Sequence, residues 1–271
     1  MLETYGENAR PMAGGTALVN FLKQGLIAAE YVISLERIPG LGQITVRPDG
    51  LHIGALTRHR EVETSSIVKE HAPLLAEVYR RVATVRIRNM ATVGGGLAHA
   101  DPAQDPPLAL LALDASVRLV SRGGERVVPV QDLFTDYYET VIQPAELLTE
   151  VVVPPQPSAA KATYLKFLPR SEDDYATVAV AALAEVAEGI CRRVRVAIGA
   201  AGPTPIRAHA VENALHGQPI SHAAIEAAAQ TVAQEVDPLD DFRGPAEYKR
   251  DMAVVFTRRA LTHVLSNGAV Q

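Results

Sequence analysis

The chain has 271 residues, 48% of them apolar, and a formal net charge of −5. That is enough for a real core and for two domains of roughly 100–200 residues, and the mild acidity withholds the global electrostatic support a nucleic-acid partner needs. A single cysteine, Cys191, excludes an internal disulfide, an iron–sulfur cluster and a CxxC zinc site. The opening MLETYGENARP lacks the basic-then-apolar form of a signal peptide, and no apolar run approaches the ~20 residues of a membrane span. A cytoplasmic protein with a buried, inert thiol is expected.

In chain order, the first feature is MAGGTALV, residues 12–19, where two glycines and a threonine precede a short helix over 17–24 that Gly25 closes. YVISL (31–35) is a brief strand, and 44–56 is a hairpin turning at Pro48-Asp49-Gly50. Thr57 is placed to cap the helix after it, and Pro73 to open the next, PLLAEVYRRVATV. Arg80, Arg81, Arg86 and Arg88 form a local basic cluster, read as a solvated face or a subunit contact. A second glycine loop follows in ATVGGGLAHADPAQD (91–105), then an apolar helix PPLALLALDA, a hairpin over 116–130 turning at Gly123-Gly124, and a strand over 147–153.

The proline-rich run 154–162 is the linker candidate. Beyond it come three strand-like runs, ATYLKFL, TVAVAALAEV and CRRVRVAIGA, the last two joined by a tight turn at Glu188-Gly189. The remainder reads as helical: 205–216, 221–236 capped by Ser221, and a last helix with Tyr248, Met252, Val255, Phe256, Ala260 and Val264 on one stripe, read as core. Strands followed by helices argue for an α+β class.

A glycine-rich turn that opens a helix exposes main-chain N–H groups and the positive end of a helix dipole, which suits an anion. Glycine matters because a Cβ would hold a phosphate off the backbone. Thr16 is placed both to cap the helix and to donate to a phosphate oxygen. AGGT is neither GxxxxGK[ST] nor GxGxxG with a distant acid, so neither a triphosphate loop nor a Rossmann site is supported. GxSxG and HExxH are absent and the eight histidines are scattered, which argues against a serine hydrolase and against a metal site. Asp101 and Asp105 flank PAQ, where a carboxylate could accept from sugar or ribityl hydroxyls; Asp105 could equally cap the helix at Pro106. His99 is read as a packed or surface histidine.

AGGTALV, RIRNMATVGGGLAHADPAQDPPLALLALDA, YLKFLPRSEDDYATVAVAA, IGAAGPTPIRA and AEYKRDMAVVFTRRAL together resemble the FAD-binding medium subunit of molybdenum hydroxylases, the group of aerobic carbon monoxide dehydrogenase and bacterial xanthine dehydrogenase. The resemblance covers nearly the whole chain. It implies an α+β protein with a two-subdomain FAD-binding domain of the vanillyl-alcohol-oxidase (PCMH) type over 1–155. A small domain of antiparallel sheet plus helices would follow over 160–271.

By the family's pattern FAD would be bound by Ala13, Gly14, Gly15, Thr16, Ala17 and Leu18 from the first loop and by Ala91, Thr92, Gly94 and Gly95 from the second. Asp101 and Asp105 would make hydroxyl contacts, Leu148 would pack on the flavin, and Lys166 would lie near the cofactor. Arg170 and Asp174 fit a family pattern without a settled role. The resemblance implies no catalytic acid or base and no metal ligand in this chain. Molybdopterin would be carried by a large partner subunit and [2Fe–2S] clusters by a small one, in a dimer of heterotrimers. Three departures stand out. Met1 falls inside a helix that the family places before the first loop, Gly96 replaces a frequent asparagine, and Ala17 a frequent serine or aspartate. A free-standing flavin oxidoreductase and a FAD-free assembly homologue are the competing readings.

Overall fold

Leu51 and Ile53, Val117 and Leu119, Val151 and Val153 recur at every second residue, and all six are buried, as one face of a pleated sheet requires. The computed structural model describes all residues except Pro169, Glu172 and 267–271. Two compact units form, Met1–Asp101 with Ala115–Pro154, and Pro102–Asp114 with the chain from Pro155 onward.

The first unit is built on five antiparallel strands in the order Ile44–Arg47, Gly50–Gly54, Leu147–Val153, Ser116–Ser121, Gly124–Pro129. Its two hairpins turn within a residue of the expected places, since Arg47 pairs with Gly50 and Ser121 with Gly124. A separate pair, Ala9–Met12 and Tyr31–Ser34, is parallel; the first of these strands has no counterpart in the sequence reading, because ARPM has neither alternation nor β-branched residues.

Several local expectations are corrected. The helix after Thr57 starts at His59 with Arg58 as its N-terminal flank, and the buried Thr57 hydroxyl has no hydrogen-bond partner among the described residues. The helix from Pro73 ends at Arg80, and a separate short helix, Val85–Arg88, is capped by the Thr84 hydroxyl. Within the basic cluster, Arg88 is no solvated charge: it pairs with the buried Glu63 carboxylate at 2.9 Å and donates to the carbonyls of Val82 and Ala83. Glycines 94–96 lie inside a helix, Val93–His99, not a loop.

The second unit centres on an antiparallel sheet ordered Lys161–Phe167, Val178–Ala187, Ile190–Gly199, Ile206–Arg207. Val178, Val180, Ala182 and Ala184 line one face together with Val196 and Ile198, against Val211, Ile225, Ala228, Ala253, Leu261 and Val264 of the helices. On the other side lies the helix Pro106–Ala112, every residue of which is buried. A Cβ at Gly199 would stand 2.9 Å from Leu108 Cδ2, so the helix seats closely there. The helix is apolar all round, which is the mark of an element enclosed on all sides.

The last helix, Ala246–Leu265, buries Ala253, Val254, Thr257, Ala260, Leu261, Val264 and Leu265, with Met252 and Phe256 partly covered. The expected stripe is thus turned: Tyr248 is 42% exposed, and the buried residue of that turn is Lys249, whose ammonium donates to Leu239 O at 2.7 Å and pairs with Asp241. A charge with two partners can occupy an interior position that apolar periodicity alone never assigns to it.

Candidate functional site

Residues 13–17 leave the strand Ala9–Met12 and lead into the helix Leu18–Lys23. Gly15 has φ +71°, a conformation that costs an L-residue about 1–2 kcal/mol. Among the described residues, the N–H groups of Gly14, Gly15, Thr16 and Ala17 find no acceptor in the protein, although the turn is half-buried. Thr16 is not the helix cap expected of it: Ala17 holds that position, without a side-chain capping bond.

The second glycine stretch is built in the opposite way. Thr92 is the N-cap, its hydroxyl oxygen accepting from the Gly95 N–H at 3.2 Å. The N–H groups of Val93, Gly94 and Gly96 donate to Thr57 O, Ala55 O and Thr92 O at 3.0, 2.8 and 2.9 Å. These donors are all taken inside the protein, so what the stretch contributes is shape. A Cβ on Gly94 would lie 2.5 Å from Ala55 Cβ, and one on Gly95 would lie 2.7 Å from Thr92 Oγ1 and 3.6 Å from Ala13 Cβ.

The two stretches meet. A Cβ on Gly14 would fall 2.0 Å from the Met90 carbonyl oxygen and 3.1 Å from Ala91 Cα, so the first turn rests on the main chain that leads into the second. A bound diphosphate asks for several convergent donors and for no side chain in the way. Four adjacent N–H groups without a protein acceptor, beside glycines that hold two segments in contact, fit that requirement.

Around this junction stand three aromatic rings, of which only His99 was singled out in the sequence, as a packed or surface histidine. Phe21, on the helix after the first turn, meets His99, the last residue of the second helix, at 5.1 Å between centroids. Tyr138 closes the group at 5.7 Å from Phe21 and 5.2 Å from His99. No periodic signal links residues so far apart in sequence. Burial lowers the His99 pKa below its ordinary value, with Asp101 opposing. Asp101, 9% exposed, accepts from the Tyr138 hydroxyl at 3.4 Å. Leu148 is buried in the central strand, one residue before Thr149, whose carbonyl takes the Ala55 N–H at 2.9 Å; Ala55 is the residue on which Gly94 packs.

Asp105 and Lys166 come together in the second unit. The Lys166 ammonium lies 2.9 Å from Asp105 Oδ2, with side-chain exposures of 2% and 6%, and the Tyr164 hydroxyl donates to Oδ1 at 2.5 Å. Asp105 precedes the helix Pro106–Ala112 but makes no side-chain capping bond to it. Lys166 sits on the edge strand, as an edge charge would, yet points inward beside Tyr164, on the same face by the two-residue alternation. Arg170 and Asp174 form an exposed pair at 3.5 Å. Among the described residues no group of three or more His, Cys, Asp or Glu side chains could hold a metal ion, and no helix is long and apolar enough to cross a membrane.

His59, buried beneath Thr92, lies with Nε2 3.2 Å from the Thr92 carbonyl; because a carbonyl only accepts, the neutral ring is the Nε2–H tautomer. Burial pushes its pKa from 6.5 down to about 4. The neutral form is therefore the one the fold favours, and the stability it contributes is complete above pH 6.5 and is lost as pH falls towards 4. Urea unfolding of the apo-protein should show a loss of about 3 kcal/mol between pH 7.5 and pH 4 from this group. His59→Gln should flatten that part of the profile; an unchanged pH slope in the variant would refute the assignment.

Comparison with known proteins agrees with this architecture. The family described as FAD binding domain in molybdopterin dehydrogenase matches residues 1–156, and the CO dehydrogenase flavoprotein C-terminal domain matches residues 163–264. The alpha subunit of the 6-hydroxypseudooxynicotine dehydrogenase complex of Paenarthrobacter nicotinovorans is 36% identical over 98% of this chain and 90% of its own length. The carbon monoxide dehydrogenase medium chain of Afipia carboxidovorans is 33% identical over 96% and 90%. Among solved structures, carbon monoxide dehydrogenase from Hydrogenophaga pseudoflava superposes with a TM-score of 0.95 at 34% identity, over 97% of this chain and 91% of that one.

Proposed function

This chain belongs to the FAD-binding medium subunits of the molybdenum hydroxylases, and from that premise we propose that it is the subunit through which such a complex delivers electrons to an external acceptor. Its relatives are subunits of multi-subunit oxidoreductases. Bound FAD supplies exchange between one-electron carriers and a two-electron acceptor. The protein supplies position and electrostatics, and the observation that carries the reading is the contact between the Gly14 turn and Met90–Ala91, with the N–H groups of residues 14–17 left for an anion.

In this reading Ala13–Leu18 receive the diphosphate. Ala91, Thr92, Gly94 and Gly95 shape the opposite wall, Asp101 accepts from cofactor hydroxyls, and Leu148 packs behind. Asp105 and Lys166 pair with each other and with Tyr164, and we assign them to the second unit's interior rather than to the cofactor. One cysteine cannot build a [2Fe–2S] centre, so the clusters lie on a small partner subunit and the molybdopterin on a large one, in a cytoplasmic dimer of heterotrimers.

The test is the visible spectrum of the purified chain and of the complex it co-purifies with. Flavin bands, FAD on extraction, and turnover of an organic substrate only in the presence of the partners are expected. A colourless chain that cannot be reconstituted with FAD would mark an assembly homologue, and turnover by the isolated chain would mark a free-standing oxidoreductase; either result would end the proposal.

A further inference from the structure

Two consecutive residues hold three consecutive carbonyls of the segment beneath the first glycine turn. The Arg58 guanidinium donates to Met90 O at 2.5 Å, the His59 main-chain N–H to Ala91 O at 3.0 Å, and His59 Nε2 to Thr92 O at 3.2 Å. Just upstream, the carbonyls of Ala55 and Thr57 take the N–H groups of Gly94 and Val93. Residues 55–59 thus run along residues 90–94 and bond to them at nearly every step. Met90 O, the atom under Arg58, is also the atom closest to where a Gly14 Cβ would be.

The Arg58 main-chain N–H donates to the Glu61 carboxylate at 2.6 Å, which anchors the backbone at this position, and the guanidinium lies 3.6 Å from Glu36. The His59 ring meets the Tyr79 ring at 4.8 Å, and its Nδ1 has no partner among the described residues. A buried histidine with one nitrogen idle is held in place by the bond that the other nitrogen makes. A guanidinium set on a lone carbonyl likewise restrains that peptide's orientation, because a charge-assisted bond is lost if the carbonyl turns.

We propose that Arg58 and His59 are positioning residues for the FAD diphosphate: they hold Met90–Thr92 as the floor on which Gly14 rests, and so set the direction of the Gly14–Ala17 N–H groups. This rests on the reading that those N–H groups receive the diphosphate.

The test uses the full chain stripped of flavin and titrated with FAD by flavin fluorescence, with ADP as a competitor that carries the diphosphate without the flavin ring. Arg58→Met and His59→Phe should weaken FAD and ADP in parallel, by about tenfold or more. His59→Gln keeps a donor near the Nε2 position and should remain within about threefold of the parent. Arg58→Met, on a partly exposed side chain, should lower the urea midpoint of the apo-protein only modestly and leave it fully folded in the titration buffer. Unaltered FAD and ADP affinity in Arg58→Met overturns the proposal, as does an affinity loss that comes with unfolding of its apo-protein in the titration buffer, or His59→Gln binding as poorly as His59→Phe. Gly14→Val run in parallel separates the two levels. If it loses flavin while Arg58→Met does not, only the positioning role fails; if it keeps flavin, the diphosphate reading fails and the proposal with it.

Discussion

Gly14→Val should purify without flavin. The Cβ it adds would lie 2.0 Å from Met90 O and 2.8 Å from the Met90 carbonyl carbon, well inside any real contact. Both atoms are main chain, so no side chain can swing aside to relieve the overlap. The turn must lift off the Met90–Ala91 segment, and misplacing an array of N–H donors by about 1 Å removes most of what it contributes to binding. Overpacking of this kind costs about 1–3 kcal/mol or more. No contact of the added side chain compensates for it in binding, so FAD affinity should fall by about a hundredfold at that upper end. The ratio of flavin to protein absorbance after gel filtration reads the effect directly. Gly42→Val is the control, because nothing lies within 4 Å of its Cβ position. Parental flavin content in Gly14→Val would sink the site assignment.

Lys166→Met should strongly destabilise the second unit. Lys166 and Asp105 face each other at 2.9 Å with side chains 2% and 6% exposed. Removing the ammonium leaves a buried carboxylate with the Tyr164 hydroxyl still donating to it. Breaking a buried pair from one side costs about 3–5 kcal/mol, because the remaining charge loses the ammonium's attraction without regaining water. Neutralising both members costs far less, so Asp105→Asn with Lys166→Met should recover much of the loss; this double-mutant cycle is read in urea midpoints. If Lys166→Met unfolds at the parental midpoint but loses flavin, the pair belongs to the cofactor after all and the interior assignment is wrong.

Some of the site was plain in the linear chain. Gly14, Gly15, Gly94 and Gly95 were picked out because the absence of a side chain is itself a signal, and the structure sets Gly14 on Met90–Ala91 and Gly95 beside Ala13. What the residues do there was less legible. The second stretch reads as a donor loop like the first, yet its N–H groups bond to Ala55, Thr57 and Thr92; Thr92 is a local cap, but the carbonyls of Ala55 and Thr57 that take the Gly94 and Val93 N–H groups lie far upstream and leave no mark near residue 93. Thr16 and Thr57 both look like caps because a hydroxyl before an apolar run is the usual cap signal, but the chain turns into each helix one residue later. The last helix shows the same limit: its length follows from 3.6-residue periodicity, while its facing was settled by a buried ammonium at Lys249.

The alternation of apolar residues, the glycines and the turn dipeptides were sufficient to specify the longer strands, the two hairpins, the α+β class and the places where the backbone had to be bare, but not the strand Ala9–Met12. Those are properties of neighbours, set by local sterics and by the period at which a side chain returns to one face. Tertiary structure alone decided that Arg58 and His59 lie on the carbonyls of Met90, Ala91 and Thr92, that Phe21, His99 and Tyr138 share one cluster, and that Asp105 closes on Lys166. Each of these joins residues more than thirty positions apart, and such a contact forms only when burial of the intervening elements repays the entropy of closing the loop between them.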